Sequence, residues 1–204
     1  MSTIFVVSAP SGSGKSSLLR NLLGRDRNLL FSVSYTTRPP RGAEREGVEY
    51  HFVGREEFEK RVQAGEFLEW ALVFGNYYGT HRSYLDRARQ DGKDLVLDID
   101  VQGARQLLNK IPGIVGIFVL TPSRHVLEDR LRGRSEDSEA VVAKRLKEAA
   151  EETRQYRNYD YVIVNDDLEE ATSRLVAVVT AERCRRERMA ARIRPILDSF
   201  GIEE

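Results

Sequence analysis

The chain has 204 residues, 41% hydrophobic and 31% charged, which allows one domain with a real core and attached smaller lobes and excludes wholesale disorder. Its 32 basic and 32 acidic residues cancel, so it lacks the positive excess of a protein that coats nucleic acid, and no apolar run approaches the roughly 20 residues that cross a bilayer. Neither a nucleic-acid nor a membrane partner is expected; the single cysteine, Cys184, rules out an intrachain disulfide, the N-terminus carries no signal-peptide pattern, and the expected location is cytoplasmic.

Residues 4–8 read as a short buried strand, followed by a Gly/Ser turn and a helix over about 16–24. From about 33 to 84 the composition shifts toward Tyr, Phe, Thr, Arg and Gly, with strand-like pieces at 49–53 and 67–71 around a helix over 55–64. This stretch reads as an inserted lobe with its own mixed sheet. Further short apolar runs follow at 95–99, 114–120 and 161–164, each leading into a helix-like segment. Short apolar strands alternating with helices imply an α/β fold whose parallel sheet is covered on both faces. Residues 124–157 are helical and heavily charged, and Gly133 among its arginines predicts two helices meeting at a mobile corner.

The strongest local signal is Ala9-Pro10-Ser11-Gly12-Ser13-Gly14-Lys15-Ser16, between a predicted strand and a predicted helix. That context is what a phosphate loop requires. Gly12 and Gly14 let the backbone turn tightly and bring N–H groups against phosphate oxygens, and the helix that starts here adds its positive end. Lys15 supplies a point charge for the β and γ phosphates and Ser16 a hydroxyl for Mg²⁺. Ala9 stands where the usual pattern has glycine, so the loop entry must have an ordinary backbone conformation. The competing reading is a plain glycine-rich turn.

Leu95-Val96-Leu97-Asp98-Ile99-Asp100 supplies acidic groups at a strand end. Residues two apart in a strand face one side, so Asp98 and Asp100 point together at the carboxyl edge, where open α/β sheets bind ligands. Asp98 is the candidate for the metal. Asp100 either faces an acceptor or caps the helix that begins near Val101.

Several motifs then stand in order: the phosphate loop, Ser34-Tyr35-Thr36-Thr37-Arg38-Pro39-Pro40-Arg41, Gly47-Val48-Glu49-Tyr50-His51-Phe52, Glu69-Trp70, Gly75-Asn76-Tyr77-Tyr78-Gly79-Thr80 and Asp98-Ile99-Asp100-Val101-Gln102-Gly103. Together they resemble the guanylate kinase family, and its bacterial members in particular, where alanine often opens the loop. The resemblance runs from about residue 4 to 168 and is least diagnostic beyond about 182.

It implies a P-loop nucleoside monophosphate kinase fold: a core of residues 1–32, 85–123 and 158–204, a GMP-binding lobe at 33–84 and a helical lid at 124–157. It implies Mg²⁺-dependent phosphoryl transfer from ATP to GMP, with dGMP left open. The donor site would comprise Ala9, Pro10, Ser11, Gly12, Ser13, Gly14, Lys15, Ser16 and Ser17, with Arg130 and with Asn165 near the adenine. Arg38, Arg41, Tyr50 and Tyr78 would grip the GMP phosphate, while Ser34, Glu69, Thr80 and Asp100 surround the guanine. Ser16 and Asp98 would serve the metal. Arg134 and Arg145 would close over the transferring group, completing a catalytic set with Lys15 and Arg38. Sequence leaves monomer and homo-oligomer both open.

The chemistry of the residues agrees with that picture. Guanine presents N1–H and N2–H₂ as donors, and an ionised Glu69 is an acceptor only. Arg38 and Arg41 bracket a stiff Pro39-Pro40, and a planar guanidinium holds phosphate with two parallel bonds. Read singly, Glu69 is a carboxylate on an edge strand, Tyr50 and Tyr78 are core aromatics, and the lid arginines are a solvated helix face. His51, His81 and His125 lack zinc-site spacing. The rival from another class is a guanylate-kinase-like interaction module without activity, which the intact Gly14-Lys15-Ser16 and Asp98 oppose.

Overall fold

The computed structural model describes residues 2–73, 75–133 and 138–202. In chain order its elements are β1 (Ile4–Ser8), α1 (Lys15–Arg25), β2 (Leu29–Ser32), β3 (Tyr35–Thr36), β4 (His51–Phe52), α2 (Arg55–Gln63), β5 (Phe67–Val73), β6 (Asn76–His81) and α3 (Ser83–Gln90). There follow β7 (Asp94–Asp98), α4 (Val101–Leu108), β8 (Val115–Leu120), α5 (Arg124–Arg132), α6 (Glu139–Thr153), a 3-10 turn (Arg154–Asn158), β9 (Tyr161–Val164), α7 (Leu168–Arg183) and α8 (Arg186–Ser199).

Five strands form the central sheet in the order β2-β7-β1-β8-β9, every neighbouring pair parallel. The central strand β1 is apolar at consecutive positions because alternate side chains enter two different cores. Phe5 and Val7 pack with Leu18 and Leu22 of α1 and Leu175 of α7. Ile4 and Val6 pack with Leu85 of α3 and with Ala104 and Leu107 of α4. The register sets Val7 of β1 beside Asp98 of β7, so the loop leaving β1 and the carboxylate ending β7 share one edge of the sheet.

A second, mixed sheet runs β4-β3-β6-β5, with β3 parallel to β4 and β6 antiparallel to both β3 and β5. Phe58 of α2 anchors it, stacked between Phe67 and Tyr77 at centroid distances of 4.5 and 5.2 Å. This lobe leans on the core where β5 meets α4: the Gln106 amide donates to the Trp70 carbonyl oxygen at 2.7 Å. Helices α5 and α6 share a small core of their own, Leu127, Leu131, Val142, Leu146 and Ala149.

The expected α/β architecture with a mixed inserted sheet is present. Three strands escaped the sequence pattern. β2 has four residues and follows α1 closely, β3 has two, and β6 (Asn-Tyr-Tyr-Gly-Thr-His) contains no aliphatic residue. Strand β6 is held by the ladder to β5 and β3, not by apolar alternation, because part of it lines a cleft.

Candidate active site

The phosphate loop takes the strained path that its glycines allow. Gly12 and Gly14 have φ of 94° and 85°, the left-handed region that side chains disfavour. The Ser13 amide donates to the Pro10 carbonyl oxygen at 3.1 Å and closes the turn. Ala9 packs its methyl group on the main core, which accounts for alanine at the loop entry. Gly14 caps α1 without a side chain, so the helix N-terminus carries only backbone donors. Ser16 and Ser17 lie in its first turn, Ser16 exposed.

Asn165 is tied to this loop. Its Nδ2 donates to the Ser13 carbonyl oxygen at 2.8 Å, and a Cβ at position 14 would lie 2.3 Å from that nitrogen. Asn165 thus braces the loop from the end of β9, and Gly14 is required for close approach as well as for backbone conformation. Arg130 of α5 donates to the Asn165 carbonyl oxygen at 3.0 Å. Leu131 and Leu127 of the same helix stand 3.0 and 3.1 Å from where a Gly12 Cβ would be.

The Lys15 ammonium lies 2.5 Å from Asp98 Oδ1 and donates to the Ile99 carbonyl oxygen at 3.3 Å. Asp100 does cap α4, accepting from the Gly103 amide at 2.9 Å, and it also lines the cleft. The two sequence readings of Asp100 are therefore compatible. Ser16 and Asp98 offer one hydroxyl and one carboxylate, and among the described residues no group of three His, Cys, Asp or Glu gathers around a metal position. That sparse oxygen set fits Mg²⁺, which retains waters and takes further ligands from phosphate.

The helical arm above the loop supplies charge of both signs. Arg145 of α6 donates to Ser11 Oγ at 2.7 Å. Glu152, two turns on, lines the cleft together with Ser11, and burial, then the Asp100 charge, raises its pKa above the ordinary value. Arg134 lies outside the described residues.

Across the cleft, Glu69 of β5 is 4% exposed. Its Oε1 accepts from Thr80 Oγ1 at 2.6 Å. Burial, opposed by the Thr80 bond, holds its pKa up at about 7. Ser34 lines the same space. Arg38 is 6% exposed, with its guanidinium 5.2 Å from the Tyr50 ring centroid. It donates to Glu44 Oε1 at 2.9 Å, while Glu44 Oε2 accepts from the Arg41 amide at 2.8 Å. The Glu44 carboxylate pushes the Arg38 guanidinium further up. Tyr50 and Tyr78 meet edge to face at 5.8 Å, and burial pushes the Tyr50 hydroxyl up to about 12, which keeps it a donor.

One cavity of about 700 Å³ joins the two sides. Lys15, Ser11, Asp98 and Asp100 line it from the core; Ser34, Arg41, Tyr50, Glu69 and Tyr78 from the second lobe; Arg145, Glu148 and Glu152 from α6. Thr80 and Arg38 stand behind this wall and reach it through Glu69 and Tyr50. Arg130 and Asn165 do not line this cavity and are bonded to each other and, through Asn165, to the phosphate loop.

Glu44, Glu148 and Glu152 are absent from the sequence-based candidates. For α6 a signal existed: Arg145, Glu148 and Glu152 are spaced i, i+3, i+7 and so share one helix face. Glu44 had none, because its role depends on the path of the loop that returns it to Arg38.

A parallel sheet with a phosphate loop at its carboxyl edge, facing a second lobe across a polar cleft, defines the class of P-loop phosphotransferases. A family model described as "Guanylate kinase" matches residues 1–182. The "Guanylate kinase" of Vibrio vulnificus (strain YJ016) is 48% identical over 203 residues, covering 98% of this chain and 98% of its own length. That of Symbiobacterium thermophilum is 48% identical over 202 residues, 98% of this chain and 96% of its own. The crystal structure of guanylate kinase from Anaplasma phagocytophilum matches with a TM-score of 0.80 at 38% identity, over 100% of this chain and 97% of that one. The chain belongs to the guanylate kinase family.

Proposed function

We propose that the protein moves the γ-phosphoryl group of ATP onto GMP, giving ADP and GDP, with Mg²⁺ beside the donor phosphates. The observation that carries this reading is one cavity with Lys15 of the phosphate loop on one wall and Glu69, a buried carboxylate, on the other. In this reading residues 33–84 hold GMP, 124–157 form the lid, the remainder is the core, and the enzyme works in the cytoplasm. Among the described residues no helix is long and apolar enough to cross a membrane.

An oxygen of the GMP phosphate attacks the γ-phosphorus in line, the bond to the β-γ bridging oxygen breaks, and ADP leaves with the electron pair, without a phospho-enzyme. The loop amides and Lys15 cradle the donor phosphates, which compete with Asp98 for the ammonium. Ser16 and Asp98 would hold Mg²⁺, which would supply positive charge against the donor phosphates. Arg38, Arg41, Tyr50 and Tyr78 fix the acceptor phosphate; Arg38 exchanges its Glu44 partner for it, carboxylate for phosphate. Glu69, Thr80, Ser34 and Asp100 read the guanine. Arg145, with Arg134, brings positive charge to the transferring group, and Arg130 and Asn165 place the adenine end. Positioning and electrostatics supply the rate.

Binding of the guanine donor edge requires Glu69 ionised, whereas burial raises its pKa to about 7 and favours its protonated form in the free protein. GMP binding near neutral pH is therefore expected to expel a fraction of a proton from Glu69. Calorimetry in two buffers of different ionisation enthalpy measures this. Glu69→Gln should lose that increment while keeping any proton release from the GMP phosphate itself.

The reading is tested by a coupled assay with ATP and each of GMP, AMP, CMP and UMP. GMP is expected to exceed AMP by about 10³–10⁴-fold in kcat/KM, because adenine leaves buried polar groups unpaired. Comparable use of AMP overturns the assignment.

A further inference from the structure

Gly103 is a core residue whose lack of a side chain bears directly on the guanine-reading carboxylate. It is buried in the first turn of α4, and its amide donates to Asp100 Oδ1 at 2.9 Å. Its backbone is helical, outside the left-handed region, so conformation does not demand glycine. Alanine is the better helix former at such a position. Space does demand it. A Cβ at 103 would lie 2.2 Å from Glu69 Oε2 and 2.9 Å from Glu69 Cδ.

To make room for a methyl group the carboxylate would have to turn in its cleft wall, and Oε1 is already held by Thr80 at 2.6 Å, so turning displaces it from that bond. Glu69 therefore belongs to the lobe by chain and to the core by seat. One turn further along α4, Gln106 holds the Trp70 carbonyl oxygen, the residue next to Glu69. The α4 N-terminus also favours a negative group resting against its first turn.

We propose that Gly103 is a positioning residue for guanine selection, its missing side chain forming the socket in which core helix α4 seats the Glu69 carboxylate at the angle that accepts the guanine donor edge. The inference rests on Glu69 as the base-reading group. It assigns part of base specificity to the core, outside the lobe that carries the base contacts.

Gly103→Ala is expected to raise KM for GMP by about 10–100-fold, the effect of losing a hydrogen bond to a charged group. KM for ATP should stay within twofold and the melting temperature should not fall. The second variant is Gly103→Ala combined with Glu69→Asp. Shortening the acid by one methylene frees the space that the methyl group takes, so the pair should bind GMP several-fold better than Gly103→Ala alone. Three results overturn the proposal: Gly103→Ala with parental KM for GMP, KM values for GMP and ATP rising together with a lowered melting temperature, or a double variant no better than the single one. Glu69→Gln separates the two levels. If it leaves KM for GMP unchanged, the base-reading assignment fails; if it raises KM while Gly103→Ala is silent, only the socket fails.

Discussion

Lys15→Ala is expected to lower kcat by at least about 10²–10³-fold while the protein still folds. The magnitude follows from removing one preorganised cation from the charge that develops on the transferring phosphoryl group. Lys15 reaches the cleft from the first turn of α1, and its neighbour Asp98 keeps a quarter of its side chain exposed (25%) after pairing. Truncating Lys15 therefore leaves no deeply buried, unpaired charge. Melting temperature should change little, because an ion pair in contact with water contributes roughly 0–1 kcal/mol. Steady-state assays with saturating GMP, read beside a thermal melt, separate lost chemistry from lost structure. Turnover within a few-fold of the parent would falsify the donor-site assignment.

Glu69→Gln is expected to act in two directions. With GMP, kcat/KM should drop by about 10²–10³-fold, mostly through KM. The carboxamide replaces one acceptor oxygen with a donor that faces guanine donors, and bonds to a charged group are worth about 1.5–3 kcal/mol each. Without GMP, the same variant should be more stable at pH 8. Glu69 has a folded-state pKa of about 7, against 4.5 in the unfolded chain, because burial disfavours its charged form. Between those values the folded state binds more protons, so the parent loses stability as pH rises through this window. The loss is complete above pH 7 and absent below 4.5. Gln carries no charge and escapes it, by an amount on the order of 1–3 kcal/mol. Melts at pH 8 and pH 5 check this: the variant should gain at pH 8 and show little difference at pH 5. Parental GMP kinetics in this variant remove the case for base recognition.

These two residues also mark what is legible in a chain of this kind. Lys15 was readable because a phosphate loop is a local object: eight consecutive residues, two glycines at fixed spacing, a strand before and a helix after. Glu69 was singled out through the company of separate motifs, and only the structure shows that it is buried. Gly103 appeared in the same motif run without a role, because the space it leaves free lies against Glu69, 34 positions earlier and in the second sheet. Asn165 is expected beside the adenine from motif order alone; what the structure adds is its bond to Ser13 and its position against Gly14, which tie it to the loop.

By itself, then, the sequence determined the alternation of apolar strands and helices, the phosphate loop and the family. Each is written in short stretches whose meaning depends on neighbours within a few residues or on motif order. Only the tertiary structure decided the edge position of β2, the pairing of the apolar-poor β6, the Glu44 bridge between Arg38 and Arg41, the carboxylate of Glu152 over the loop and the seat of Glu69 on α4. The physical reason is common to all five. Hydrogen bonds, close packing and buried charge act over a few ångströms in space, and the partners they join lie apart along the chain or on a loop whose course no local pattern dictates.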